Sequence, residues 1–257
     1  MMETISMRRA SAILACAAAL GLAAAGAQAR EAPAPAGYKA VLVAGDASLP
    51  VFDNAVASVA ALLRERGVPD EDIQRLSASP RAVARGDARP ASLGGVLAAV
   101  AAMAPGPGQG CLVFATSHGA PGYGLVLAAT REVLDPAALD AALARGCGRA
   151  PTVVVISSCF SGLYAGGAMA RPNRVVLTAA RPDRTSFGCG AGYAYTVYDR
   201  CLLDAMGGGG TWRRAYAAIR RCVGAAERQG GFEPSEPQAW FGPAVAALRL
   251  PAGAPAR

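Results

Sequence analysis

Two residues with reactive side chains lie at the ends of predicted strands. The segment VVVISSCFSG, residues 153–162, begins with a β-branched run that predicts a buried strand and then reaches Cys159. The segment CLVFATSHGAPGYG, residues 111–124, ends a second such run at His118, the single histidine of the chain. A cysteine becomes a useful nucleophile near neutral pH beside a base or a cation, and an imidazole can act as that base and later protonate a leaving amine. The pair indicates nucleophilic catalysis, provided that the two strand ends meet.

The order of elements predicts that they do meet. Apolar strands at 38–45, 111–117, 152–158 and 173–180 alternate with helical patterns, which is typical of an α/β fold with a mainly parallel sheet. Ligands of such sheets bind beyond the carboxyl ends of the strands. The connection of 41 residues from His118 to Cys159 contains one predicted helix and fits a crossover between neighbouring strands. Side chains that leave the ends of adjacent parallel strands, about 5 Å apart, can enclose a substrate carbonyl.

The backbone at the same two points offers hydrogen-bond donors. Gly119 places an unhindered N–H beside His118, and Cys159 has its own N–H. Such groups near a strand-to-loop turn can hold a developing oxyanion.

Two predicted helices carry capping signals at their starts. Asp53 or Asn54 is expected to cap the helix that follows the first strand, and Gly67 to end it. Asp135 and Pro136 form an N-cap and N1 pair for the helix before Cys159.

Length and composition predict one domain over residues 38–250. The chain has 257 residues, 53% of them hydrophobic, which is enough for a full core. The formal net charge is +7, but the arginines are dispersed apart from the pairs Arg213/Arg214 and Arg220/Arg221, and no basic patch with interleaved aromatics is present. This pattern argues against nucleic-acid binding.

The beginning of the chain predicts export. Residues 1–29 have a charged start, an apolar alanine-rich stretch and an AQA site, as in a signal peptide cleaved after Ala29, and residues 30–37 form a proline-rich leader without structure. Cleavage leaves a net charge of +6 and predicts a periplasmic or secreted protein without stable membrane insertion. An uncleaved anchor and a lipoprotein site at Cys16 are the alternatives.

Six cysteines remain after Cys16, and an oxidising compartment favours disulfides among them. Cys111 and Cys147 each precede a predicted strand, and Cys201 and Cys222 lie on consecutive predicted helices, which gives two hypothetical pairs. If Cys159 stays a thiol, a second cysteine is also left unpaired.

Other chemistries lack their motifs. CFSGL has Cys159 where a serine elbow has its first glycine, and no histidine follows residue 118, although that fold needs one after its serine. No C-x-x-C or H-x-x-x-H is present, which argues against a zinc site and a thiol-redox protein, and there is no Walker A or G-x-G-x-x-G spacing. We therefore expect no metal and no cofactor.

With these motifs the sequence resembles the legumain-type cysteine peptidases, family C13 of the caspase-like clan. SHGAPGYG and ISSCFSG match the His-Gly and Cys marks of that clan; KAVLVAG, RGVPDEDI, LTAARPDRTSFGC and SEPQAWFG resemble further segments in the same order. The resemblance covers most of residues 38–242. It implies a caspase-like three-layer α/β/α sandwich with a mainly parallel sheet.

The resemblance also implies roles for individual residues. It makes Cys159 the nucleophile, His118 the general acid/base, and the N–H groups of Gly119 and Cys159 the oxyanion hole. It further suggests that the loop at 183–186, with Asp183, Arg184 and Ser186, walls the pocket for the residue before the scissile bond. Serines of the ISSCFSG turn are expected to satisfy the turn rather than to react.

Several positions depart from the family pattern. Legumains that cut after asparagine carry an acidic residue after the catalytic cysteine, where this chain has Phe160, and an Arg-His pair where it has FDNA. Asparagine specificity is therefore not expected to carry over. No residue that orients His118 stands out, and Asp46, Asp53 and Asn54 are candidates.

Three functions follow from these features. The first is an exported cysteine endopeptidase that cleaves peptide or protein substrates through a Cys159 thioester. The second is a transpeptidase or transamidase that uses the same dyad, because the nucleophile does not decide whether water or an amine accepts the acyl group. The third is a non-catalytic periplasmic binding or scaffold protein on a peptidase fold. The presence of both Cys159 and His118 favours the enzyme.

Overall fold

The computed structural model describes Met1 and residues 35–190 and 192–251 of the chain. The predicted signal peptide beyond Met1, with Cys16, and residues 30–34 of the predicted leader lie outside the described residues. Residues from 35 onwards belong to one compact unit.

Within the described residues, ten strands form two sheets. In chain order they are β1 (Gly37–Ala44), β2 (Ile73–Ser77), β3 (Arg89–Pro90), β4 (Gln109–Thr116), β5 (Gly119–Ala120), β6 (Gly124–Leu127), β7 (Glu132–Leu134), β8 (Thr152–Ser157), β9 (Arg174–Thr178) and β10 (Gln238–Phe241). The main sheet has the order β10-β9-β8-β4-β1-β2-β3, and only its edge strand β10 pairs in the antiparallel direction. The predicted mainly parallel sheet is confirmed.

In the described part of the chain, six α-helices flank the main sheet, which is covered on both faces. They are α1 (Val51–Glu65), α2 (Pro80–Ala84), α3 (Leu93–Ala101), α4 (Pro136–Gly146), α5 (Val197–Gly207) and α6 (Trp212–Gly230). Apolar side chains of α1, α5 and α6 share one core with alternate residues of the central strands, and those of α3 and α4 share a second core with the remaining residues. This arrangement confirms the predicted three-layer α/β/α sandwich.

The central strands are apolar throughout because both of their faces are buried. In β1, Ala40, Leu42 and Ala44 face the α1 side, whereas Val41 and Val43 face the α3 side. A strand covered by helices on both faces shows a continuous apolar run instead of alternation, which is the pattern that the sequence displays.

Strands β4 and β8 are direct neighbours in the parallel sheet, as the sequence predicted. Thr116 pairs with Ser157 at the last position of both strands. The connection between them contains α4 and also the small antiparallel sheet β5-β6-β7, which the sequence did not predict. Strands of two to four residues are too short to give a readable alternation.

Capping signals were correct for one helix and wrong for the other. The Oδ1 atom of Asp135 accepts hydrogen bonds from the first N–H groups of α4, and Pro136 occupies its first turn. Helix α1 instead begins at Val51 after Pro50, without a side-chain cap. Asp53 lies inside its first turn and accepts a hydrogen bond from Ser77 Oγ at 2.7 Å, a long-range partner that local sequence does not show.

Both hypothetical disulfides are confirmed. Cys111 is bonded to Cys147 and thus ties β4 to the end of α4; Cys201 is bonded to Cys222 and ties α5 to α6. Cys111 lies inside β4 rather than before it. In the described part of the chain, the free thiols are those of Cys159 and Cys189.

None of the helices within 35–190 and 192–251 combines the length and the apolar composition needed to cross a bilayer.

The disulfides predict a simple alkylation map. Iodoacetamide added to the unfolded, non-reduced protein should modify Cys159 and Cys189 and leave the other four cysteines after residue 29 unmodified, because those four are paired. Peptide mass mapping before and after reduction gives the measurement. Modification of Cys111 or Cys222 without reductant would contradict the pairing.

Candidate active site

A small pocket lies at the edge where β4 and β8 end. Its walls come from these strand ends, from α1 and from the loop before α5, and they consist of Phe52, Ser117, His118, Ser157, Ser158, Cys159, Ser186, Phe187, Cys189 and Thr196. The structure thus brings His118 and Cys159 to one pocket. Apart from the imidazole, no acidic or basic side chain belongs to these walls.

A sharp turn after β8 delivers the Cys159 thiol. Phe160, the next residue, has φ +58° and ψ 13°, a left-handed conformation that is unusual for a bulky side chain and typical of functional turns. Its N–H donates to the carbonyl of Arg184 at 2.8 Å. Ser161 Oγ donates to the carbonyl of Ser158 and accepts from Ala179 N–H at 3.0 Å, so Ser161 satisfies the turn as expected.

The loop before α5 contacts the sulfur through Ser186. The N–H of Ser186 donates to Cys159 Sγ at 3.3 Å, and the thiol can donate to the Ser186 carbonyl at 3.6 Å. Burial raises the pKa of the Cys159 thiol above its ordinary value, and the Ser186 N–H only partly opposes this rise. The thiol therefore needs a base to become a nucleophile near neutral pH.

His118 is held by a backbone hydrogen bond and by an aromatic contact of its ring. Its carbonyl accepts a hydrogen bond from Val126 N–H of β6 at 2.9 Å. The ring of Phe52 meets the imidazole edge to face, with centroids 5.4 Å apart and planes at 77°. Phe52 belongs to the first turn of α1, where an apolar residue reads from sequence as ordinary core.

Among the described residues, none of the three candidates for orienting His118 makes a hydrogen bond to its ring. Asp46 accepts from Ser48 N–H at 2.6 Å, Asp53 accepts from Ser77, and Asn54 Nδ2 donates to the Ala194 carbonyl at 3.0 Å. Within the described residues, no side chain makes a hydrogen bond to the imidazole. A polar side chain near a strand end was therefore a poor guide to a histidine partner.

Gly119 lies directly against the main chain of Cys159. A Cβ atom at this position would stand 1.9 Å from the Cys159 carbonyl oxygen, so a residue with a side chain does not fit. Gly119 is paired with Leu125 across β5 and β6, but Leu125 N–H donates to Tyr164 Oη at 3.0 Å. The Val126 N–H bond to the His118 carbonyl belongs to the neighbouring pair, so Gly119 and Leu125 are a non-hydrogen-bonded pair. The Gly119 N–H therefore does not take part in the β5–β6 hydrogen bonds.

The predicted substrate residues divide between the pocket and the surface. Ser186 lines the pocket. The guanidinium of Arg184 pairs with Glu233 instead, and Arg181 holds Asp183 through two hydrogen bonds of 2.9 and 2.8 Å. The charges of this loop thus pair with acidic residues of the loop itself and of the segment before β10, and the pocket walls contain neither Asp183 nor Arg184.

A wider depression adjoins the pocket. It encloses about 480 Å³ between residues 192–197 and the end of α6, and it shares Thr196 with the smaller pocket. Phe232, on its wall, stacks on Phe187 of the smaller pocket with ring centroids 4.6 Å apart. The two spaces are continuous through Thr196, which lines both of them.

Sequence reasoning also missed a buried carboxyl next to the pocket. Asp199 in the first turn of α5 is fully buried, and Thr116 Oγ1 at the end of β4 donates to its Oδ2 at 2.7 Å. Burial raises the pKa of Asp199 to about 6, against hydrogen bonds from the hydroxyls of Ser157, Thr116 and Thr196 that lower it. The local pattern Thr196-x-x-Asp199 indicates only a helix start, and the contact with Thr116, 83 positions away, is not visible in the sequence.

Comparison with known proteins agrees with this geometry. Residues 82–245, well over half of the chain, match the model of the Peptidase C13 family. The crystal structure of caspase-1 from Spodoptera frugiperda is similar over 80% of this chain and 86% of that one, with a TM-score of 0.53 and 12% sequence identity. No curated protein matches the chain.

The fold, the pocket and the family match agree with one another. The similarity to caspase-1 shows a caspase-like fold, and the family match shows that the chain is a peptidase. A peptidase acts on peptide or protein substrates. The chain belongs to the Peptidase C13 family and is a cysteine peptidase.

Proposed function

We propose that the protein is an endopeptidase in which Cys159 is the nucleophile and His118 the general acid and base. The observation that carries the proposal is that both side chains line one pocket at the paired ends of β4 and β8. Cys159 is also one of two free thiols in the described chain, and four other cysteines are bonded. The sulfur is therefore available for chemistry.

The first half of the reaction acylates the enzyme. His118 takes the thiol proton as Cys159 Sγ attacks the carbonyl carbon of the substrate. The carbonyl oxygen becomes an oxyanion and accepts hydrogen bonds from the N–H groups of Gly119 and Cys159. When the C–N bond breaks, the leaving amine takes the proton from the imidazolium, and a thioester to Cys159 remains.

The second half returns the free enzyme. His118 removes a proton from water, the hydroxide adds to the thioester carbonyl, and the sulfur leaves and regains its proton. An amine in place of water would give a new peptide bond by the same steps. The raised pKa of the buried thiol supports a role for His118 as base during the attack itself.

The wider depression supports an extended peptide as the substrate. It offers room for side chains on one side of the attacked bond, beyond the stacked rings of Phe187 and Phe232. Cleavage within chains, rather than at their ends, fits a site that is open in this direction.

Variants at the dyad test the assignment. We expect Cys159→Ala to abolish cleavage of an unfolded protein substrate, and His118→Ala to lower both cleavage and the rate of Cys159 carboxymethylation about 100-fold or more, because general acid–base catalysis contributes about 10²–10⁴-fold. Cys189→Ala is the matched control, since Cys189 is the other free thiol at the pocket and has no proposed role.

Each alternative gives its own result. Slow carboxymethylation of Cys159 that His118→Ala does not change would support a non-catalytic scaffold. Products that carry an added primary amine at their new carboxyl end would support a transferase, and free carboxyl ends support hydrolysis.

The close contact at Gly119 gives a second prediction. Gly119→Ala should lower turnover about 100-fold or more, because the Cβ would displace this N–H from the oxyanion and one such donor contributes about 10²–10³-fold. Gly166→Ala is the control, since a Cβ there meets nothing within 4 Å and its φ of −149° suits any residue. Steady-state rates alongside thermal midpoints give the measurement; unchanged turnover in Gly119→Ala would exclude the oxyanion role.

We also propose that the protein acts outside the cytoplasm. Two disulfides support an oxidising compartment, in agreement with the signal-like segment at 1–29. N-terminal sequencing of protein made in a host that cleaves such segments should therefore begin at Arg30. A product that keeps residues 1–29 would contradict cleavage after Ala29.

A further inference from the structure

Asp199 lies directly behind the strand ends that carry His118 and Cys159. It is fully buried in the first turn of α5, and its N–H donates to Thr196 Oγ1 at 3.0 Å. Thr116 Oγ1 donates to its Oδ2 at 2.7 Å, and the Ser157 hydroxyl lies 3.5 Å from Thr196 Oγ1. The start of α5 thus contacts the ends of two adjacent strands: Asp199 contacts β4, and Thr196 contacts β8.

The register makes these two contacts equivalent. Thr116 and Ser157 are partners at the last pair of β4 and β8. His118 follows Thr116 by two positions, and Cys159 follows Ser157 by two positions. The two hydroxyls therefore belong to the last strand residues before the bend and the turn that lead to the imidazole and the thiol.

Such a carboxyl is costly for folding. Asp199 Oδ1 has no hydrogen-bond partner among the described residues, although it is buried. A buried polar atom without a partner destabilises the fold, and an ionised one does so more strongly. No charged side chain acts on Asp199: its pKa reflects burial and three hydroxyls, and its charge acts on the adjacent Tyr198. The first turn of a helix favours a carboxylate by about 0.3–1 kcal/mol, less than the cost of burying an unpaired one, so stability alone does not account for an aspartate here.

We propose that Asp199 is a positioning residue for the dyad, and that its carboxyl, bonded to Thr116 and supported by the contact of Thr196 with Ser157, holds the ends of β4 and β8 where His118 can reach the Cys159 thiol. This inference rests on the proposed function. Asp199 does not touch the substrate or the reacting atoms. It acts through the two strands, and its loss changes the alignment of the groups that react.

Asp199→Asn should separate activity from stability. We expect a fall in kcat of about 10- to 100-fold with KM changed less than about 3-fold, because misplacement of reacting groups by about 1 Å can cost about 100-fold. The rate of Cys159 carboxymethylation should fall in parallel. A residue that only supports the fold would lower thermal stability and leave the rate per folded molecule unchanged.

The sign of the stability change follows from the pKa. The pKa of Asp199 is about 6 in the folded protein, above the ordinary 3.8, so ionisation of this carboxyl weakens folding. The neutral carboxyl stabilises the wild-type fold, and this contribution is lost as the pH rises from about 4 to about 6. Asp199→Asn has no such loss, so the stability of the variant minus that of the wild type should be more favourable at pH 7 than at pH 4.

Variants at Thr116 provide a second test of the proposal if Asp199→Asn fails to fold. Thr116→Val keeps the shape and removes the hydroxyl, so it should reproduce the loss in kcat, whereas Thr116→Ser keeps the hydroxyl and should stay within about 3-fold of the wild type. Asp140→Asn is the control variant. The Asp140 carboxylate forms ion pairs with Arg171 and Arg174 on the α4 side, so its loss should lower stability and leave kcat unchanged.

The carboxymethylation rates distinguish the two possible failures. A wild-type rate that does not depend on His118 would overturn the proposed function and this inference with it. A rate that depends on His118 but stays within about 3-fold in folded Asp199→Asn and Thr116→Val would overturn the inference alone.

Discussion

The in-register pairing of β4 with β8 is the constraint on which the rest of the site depends. Because the strands are parallel and their last residues, Thr116 and Ser157, are partners, the chain leaves both strands at the same edge and at the same height. A shift of one residue would move one side chain by about 3.3 Å and turn it to the opposite face of the sheet. Contacts beyond the strands continue this register, since Ser117 N–H donates to the Ser157 carbonyl at 3.1 Å.

Several unfavourable local features are concentrated around these strand ends. Phe160 adopts a left-handed backbone, the carboxyl of Asp199 is buried with one oxygen unpaired, and the Cys159 thiol is desolvated. Backbone strain of this kind costs on the order of 1–3 kcal/mol per residue. Apolar cores on both sheet faces and two disulfides supply the stability that offsets these costs. The disulfides bond four of the cysteines and leave the pocket thiols free.

Prediction from sequence succeeded where a signal is local and repeated. Apolar runs in the central strands, the helix start at Asp135 and the two reactive residues after β4 and β8 all follow from residue type and spacing. It failed where a side chain has a distant partner: Asp53 resembles a helix cap but bonds Ser77. The ion pair of Arg184 with Glu233 is likewise not visible in the local sequence. The β5-β6-β7 sheet was missed because its strands are too short to show a period.

The sequence by itself determined the α/β class, the family resemblance and the candidate dyad, because hydrophobic periodicity and motif order are local properties of the chain. The cysteine pairs were hypotheses that the fold confirmed. Only the tertiary structure decided what surrounds that dyad. The packing of Phe52 on His118, the fit of Gly119 against the Cys159 carbonyl and the buried carboxyl of Asp199 join segments tens of residues apart. Contacts of this kind depend on the relative placement of whole helices and strands, which no single stretch of sequence encodes.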